Sequence, residues 1–240
     1  MKRKAKAKQG AIRGRFLERG YDLRETPPEA TRALIRTGCL DQYRVLFEPC
    51  AGKGAISRVL TAGGWRVYAR DLIAYPGADA DVGPEVNFFN STPSIYDAIV
   101  TNPPYRWADD FIRHGIFKLK LPVYVLLRLM ALEGANRSDV HQHLHHVFIG
   151  VERLPMMHRP DWKGKKLKQG AMPFGWFCFF PEKNQDGLFT ASRISWREET
   201  KNDHIVDSSP PSDGPAGEAE KFERLLIEGA ALFDQARGDR

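Results

Sequence analysis

Six short apolar runs, spaced by stretches of helical periodicity, constrain the fold of this chain most. They are "YRVLFEPC" (43–50), "WRVYARDL" (65–72), "VNFF" (86–89), "YDAIVTNPP" (96–104), "LPVYVLLRLMAL" (121–132) and "HVFIGVERLP" (146–155). Such alternation predicts a mostly parallel sheet wrapped by helices. The near-continuous apolarity of the runs fits strands buried on both faces. Between the first two, "GKGAISRVLTAGG" sets Ile56, Val59 and Leu60 at helical spacing and stops at Gly63 and Gly64, so a βαβ unit is expected. After residue 170, "MPFGWFCFFPE" and "TASRISWRE" read as two more strands, expected as an antiparallel hairpin with the aromatic member inside the sheet.

With 240 residues, 42% hydrophobic and 28% charged, the chain can bury the core of one sizeable domain with appendages. Its longest apolar run, Pro122 to Leu132, is interrupted by Arg128 and falls short of the roughly 20 residues a membrane helix needs. The stretch from Met1 to Arg15 is basic, without an acid or a following apolar core, which predicts a flexible arm over 1–19 and no signal peptide. Cys39, Cys50 and Cys178 are too few and too scattered for a disulfide framework or a paired metal motif, so reduced thiols in a cytoplasm are expected. Residues 20–197 form the expected folded domain. The Pro-, Ser- and Gly-rich stretch over 198–217 reads as a polar linker, and Phe222, Leu225, Leu226, Leu232 and Phe233 mark one face of a final helix over 218–240.

"FEPCAGKGAIS" follows a strand and opens a helix. Gly52 and Gly54 there let the backbone turn tightly and approach a ligand. Asp71 ends the next strand, about 20 residues on, from where a carboxylate can accept from both ribose hydroxyls of a bound nucleoside. Strand, glycine turn, helix, strand and acid in this order predict a site for an adenosine-containing ligand. Taken singly, each piece also fits a plain βα turn and a surface acid.

The stretch "AIVTNPPYRWADDF" (98–111) ends a buried strand with an amide, two prolines and a tyrosine. Both prolines lack N–H donors and fix φ, so the chain must bend rigidly there. The Asn102 side-chain oxygen and the Pro103 carbonyl can both accept from an incoming NH2 group, and Tyr105 supplies a flat face beside them.

"TNPPY" with "FEPCAGKG" upstream resembles the S-adenosylmethionine-dependent methyltransferases that modify exocyclic amino groups, above all the N6-adenine DNA methyltransferases. The resemblance covers roughly residues 20–197 and is strongest at Asn102, Pro103, Pro104 and Tyr105. It implies a Rossmann-like α/β fold: a mostly parallel seven-stranded sheet with an antiparallel C-terminal strand and helices on both faces. It also implies S-adenosylmethionine as cofactor and DNA as partner. "ETPPEA" is similar to the family's N-terminal cofactor segment, in which Thr26 would contact the methionine carboxylate. By the same resemblance Glu48 and Asp71 would hold the ammonium side and the ribose. Pro49, Cys50, Ala51, Gly52, Gly54 and Leu72 would line the cofactor, and Asn87 with Phe88 would frame its adenine. The chain departs from the family where Glu48, Pro49 and Cys50 replace an Asp-x-Gly start, and where Asn87 stands in the place of an acid. The short segment from Phe89 to Asp97 leaves no room for a recognition domain, a plan that resembles the small stand-alone methyltransferases of phages and prophages.

Net charge +6 and a pI near 9.2 fit an anionic partner, although a solubilising surface would show the same balance. The segment "RLPMMHRPDWKGKKLKQG" interleaves Arg153, Arg159, Lys163, Lys165, Lys166 and Lys168 with Trp162, which suits a loop on a nucleic-acid backbone. Charge alone leaves RNA beside DNA, and the same bend also serves enzymes acting on a protein glutamine amide. A non-catalytic nucleic-acid-binding module is the alternative of another class. "DVHQHLHH" predicts a helix with His141 and His145 on one face. Without the glutamate of HExxH these read as surface histidines, and no metal is expected.

Overall fold

The computed structural model describes residue 23 and residues 25–83, 85–154, 172–184 and 187–197. The chain divides into two compact units, Met1–Glu198 and Glu199–Arg240, and every described residue belongs to the first. The expected basic arm over 1–19, the linker over 198–217 and the final helix over 218–240 lie outside the described residues.

Seven strands form one sheet: β1 (Val45–Glu48), β2 (Arg66–Ala69), β3 (Ala98–Thr101), β4 (Val123–Arg128), β5 (Leu144–Gly150), β6 (Phe174–Phe179) and β7 (Thr190–Ile194). Their order is β2-β1-β3-β4-β6-β5-β7. The pairs β1·β2, β1·β3, β3·β4 and β5·β7 are parallel, while β6 runs antiparallel to both of its neighbours. Among the described residues the α-helices are α1 (Pro28–Arg36), α2 (Ala55–Ala62), α3 (Ala108–Arg113), continued by a wider π turn over His114–Leu119, and the short α4 (Ser138–His141).

Strand alternation sorts the core into two layers. Leu46, Val100, Tyr124, Leu126, Trp176 and Cys178 face Leu34 of α1 and Ile56 and Leu60 of α2. Their neighbours Phe47, Ile99, Val123, Val125, Phe177 and Phe179 face Phe111 and Ile112 of α3 and Ile116 beyond it. Burial on both faces is why these strands read as unbroken apolar runs. The buried Trp176 indole donates to the Ala30 carbonyl at 2.8 Å, tying the middle of the sheet to α1 without leaving a polar atom unpaired.

Three expectations about elements are corrected. The "VNFF" run is not a strand: Asn87 accepts the Phe89 N–H at 3.0 Å, and residues Phe88–Asn90 close a single 3-10 turn. Phe88 and Phe89 both pack beside Phe111 and His114, whereas a strand would send consecutive rings to opposite faces. Strands β6 and β7 do not form a hairpin. β6 is buried on both faces and takes an inner position between β4 and β5, while the half-exposed β7 pairs in parallel with the far side of β5. Helix α4 stops at His141, and His145 lies on β5, so the two histidines share no helix face.

Candidate active site

The C-terminal ends of β1, β2 and β3 open onto one cleft that encloses about 1090 Å³ of empty space, counting its mouth. Thr26, Glu48, Pro49, Cys50, Ala51, Gly52, Asp71, Leu72, Asn87 and Phe88 line it, together with Asn102, Pro103, Pro104 and Tyr105. Residues from five separate stretches of sequence therefore meet in one place. A parallel sheet puts the loops after its strands on one edge, which is where such sheets bind ligands.

The glycine turn is built from backbone geometry and one carboxylate. Gly52 has φ +57°, a region unfavourable for side chains, and its N–H donates to Asp71 Oδ2 at 2.8 Å. Asp71 Oδ1 accepts the N–H of Ile73 at 3.1 Å, so this acid pins both loops that form the cleft wall. Gly54, at φ +92°, is the one expected cofactor residue outside the cleft lining: a Cβ there would meet the Asp79 carboxylate, which Arg58 holds with a pair of hydrogen bonds of 2.9 Å.

Glu48 ends β1 with only 1% of its surface exposed. Burial pushes its carboxyl up to about 8, only partly offset by hydrogen bonds from Ser57, which favours the protonated form. Its Oε2 has no hydrogen-bond partner among the described residues. A buried carboxyl oxygen without a partner disfavours the bare fold and suits a site completed by a donor from outside. Burial likewise raises Asp71 above the usual carboxylate range against the pull of three backbone N–H groups. The Cys50 thiol is pushed far up by loss of solvent, which keeps it protonated and removes it as a nucleophile.

The bend after β3 carries the expected catalytic residues. The Asn102 Nδ2 donates to the hydroxyl of Thr26 at 3.0 Å, and Thr26 is itself buried before α1. Sequence reasoning assigned Thr26 and Asn102 to different ligands and missed this bond, because no spacing rule links residues so far apart. Tyr105 opens a short turn over Tyr105–Trp107 and lies beside Phe174, the first residue of β6, with ring centroids 6.2 Å apart. Lys53, Trp107 and Phe111 also line the cleft and were not singled out from the sequence.

Arg153 is exposed beyond β5, while Arg159, Trp162, Lys163, Lys165, Lys166 and Lys168 lie outside the described residues. His141, His143 and His145 bond to backbone carbonyls, and His146 to Thr190 and Ser192. Among the described residues no group of three or more His, Cys, Asp or Glu side chains is placed to hold a metal ion, and no helix is long and apolar enough to cross a membrane.

Neither the protein-family models nor the curated proteins contain a match to this sequence. Among solved structures, the chain is similar to a predicted O-methyltransferase from Agrobacterium tumefaciens, with 10% identity and a TM-score of 0.45 over 71% of this chain and 86% of that one. It is also similar to a dimethyladenosine transferase from Plasmodium falciparum, with 13% identity and a TM-score of 0.43 over 67% of this chain and 63% of that one. Likeness at this level leaves the substrate to the residues of this chain. Its sheet, with one antiparallel strand inserted beside β4 and helices on both faces, has a Rossmann-like α/β architecture.

Proposed function

We propose that this protein transfers a methyl group from S-adenosylmethionine to the N6 amino group of adenine in DNA. The observation that carries the reading is a single one: the glycine turn with its acid and the Asn102–Tyr105 bend line the same cleft. A nucleoside site and an amino-group acceptor pair are thereby within reach of each other.

The residues suit the cofactor. Gly52 presents a wall without a side chain, Asp71 offers carboxylate oxygens at the ribose, and Leu72 and Phe88 supply apolar contact for an adenine ring. The unpartnered Glu48 Oε2 gives the ammonium end an acceptor. Bound there, S-adenosylmethionine supplies an electrophilic methyl carbon.

The chain's own task is to make a poor nucleophile attack. The amino lone pair of adenine is delocalised into its ring and becomes available only as the nitrogen turns pyramidal. Asn102 Oδ1 and the Pro103 carbonyl accept its two N–H bonds and hold them more strongly in that geometry, which stabilises the transition state over the ground state. An adenine inside a duplex must first be extruded, at a cost of a few kcal/mol. Stacking on Tyr105, on the order of 1–3 kcal/mol, offsets much of that.

Asn102→Ala tests the assignment. Methyl transfer falls to near background while calorimetric affinity for S-adenosylmethionine stays within about twofold, because the lost acceptor acts chiefly in the transition state. A variant that remains fully active removes Asn102 from the chemistry.

A further inference from the structure

Two arginines at the mouth of the cleft stand out by what they touch. The Arg128 guanidinium carbon lies 4.9 Å from the centre of the Tyr105 ring, and that of Arg106 lies 5.5 Å from the centre of Trp107. Both rings line the cleft, while neither arginine is among its lining residues. Arg128 is also the residue at which β4 stops being buried: Val123 to Leu127 are core, and Arg128 is exposed. Its partner in the sheet register is Phe174, which itself flanks Tyr105.

Four other arginines mark a contrast. Arg58, Arg113, Arg137 and Arg197 are paired with carboxylates, Arg137 with Asp109 at 3.0 Å, and these serve the fold. Arg66 also lies over a ring, that of Tyr68, but it begins β2 and therefore sits at the end of the sheet away from the cleft. Among the described residues no carboxylate pairs with Arg106 or Arg128. Contact with an aromatic face holds a guanidinium in place while using none of its N–H donors. Those donors, with their uncompensated charge, suit the paired oxygens of a phosphodiester.

We propose that Arg106 and Arg128 clamp the phosphodiester backbone of the DNA strand whose base enters the cleft. The inference rests on the reading of the cleft given above and deepens it: the two rings that line the site are steadied by the same cations that neutralise the backbone next to the extruded base. It places part of the nucleic-acid interface on the rim of the active site, independently of the basic segment around Lys163.

The test is the salt dependence of binding of the full-length protein to a fluorescently labelled, adenine-containing DNA duplex, measured by anisotropy for wild type, R106Q, R128Q, the double variant R106Q/R128Q and R128K. Each glutamine variant lowers the magnitude of the slope of log Kobs against log salt by about 0.9, and the double variant by about twice that. R128K keeps the wild-type slope because it keeps the charge. Calorimetric affinity for S-adenosylmethionine stays unchanged in all of them, which also shows that they are folded. Unchanged slopes in both glutamine variants overturn the clamp, even if R128Q slows methyl transfer by loosening Tyr105. A wild-type protein that binds S-adenosylmethionine but not the duplex removes the DNA reading and the clamp with it.

Discussion

Thr26 and Asn102 are 76 positions apart in sequence and 3.0 Å apart in the cleft. The hydroxyl that accepts the hydrogen bond of Asn102 Nδ2 fixes which way the carboxamide points, and so, in the proposed reaction, which atom it turns toward an incoming amino group. Thr26→Val keeps the volume and removes the acceptor. Losing a hydrogen bond of about 1 kcal/mol that orients the transition-state acceptor lowers kcat several-fold. Thr26→Ser retains the hydroxyl and preserves the rate. Equal kcat in the valine and wild-type proteins, measured under saturating cofactor, would mean that the amide needs no such guide. At this scale the sequence was informative about residue types and silent about partners. "NPPY" announces an acceptor pair through its own covalent chemistry. The double duty of Asp71, which holds the N–H groups of Gly52 and Ile73, needs the fold to bring two loops together.

Among the elements, the cleft wall depends on the turn between β1 and α2. Gly52 combines φ +57° with the Leu23 side chain packed where a Cβ would go, 2.5 Å from its Cδ1. Gly52→Ala therefore strains the turn by about 1–2 kcal/mol and pushes Leu23 into the space of the ligand. Calorimetry is expected to show S-adenosylmethionine binding weakened by about tenfold or more, with the melting temperature lowered only modestly. Binding at wild-type strength would show that the turn is not part of the ligand wall. The βαβ unit and the inner strands were legible because burial on both faces writes an unmistakable apolar run. The strand expected over 86–89 failed because its apolarity serves an aromatic cluster around Phe111, and apolarity does not distinguish the two uses. The misread hairpin has a similar origin. Sequence neighbours usually pair, but both edges of β6 are taken by β4 and β5, so β7 pairs with β5 instead.

For the molecule as a whole, the buried Glu48 carboxyl ties stability to pH. Its folded value of about 8 lies above the model-compound value of 4.5, so between those limits the unfolded chain releases a proton that the folded chain retains. The unfolded state binds fewer protons there, and stability drops as pH rises through the window. Asp71, also raised, adds in the same direction. Glu48→Gln removes the larger contribution, so its melting temperature is expected to fall less than that of wild type between about pH 5 and 8. Parallel melting curves for the two proteins would show that Glu48 is ionised in the fold.

The same cleft brings the account to its substrate. Thr26, Asn102 and Tyr105 converge beside the glycine turn, and Arg106 and Arg128 lie against the rings of Trp107 and Tyr105 that line the cleft. The most direct measurement incubates the protein with methyl-labelled S-adenosylmethionine and plasmid DNA, bulk RNA and cell protein in parallel, then digests the nucleic acids to nucleosides. The account predicts label in the plasmid, recovered as N6-methyldeoxyadenosine and abolished by Asn102→Ala. Label confined to RNA or protein, or carried by a base other than adenine, would contradict it.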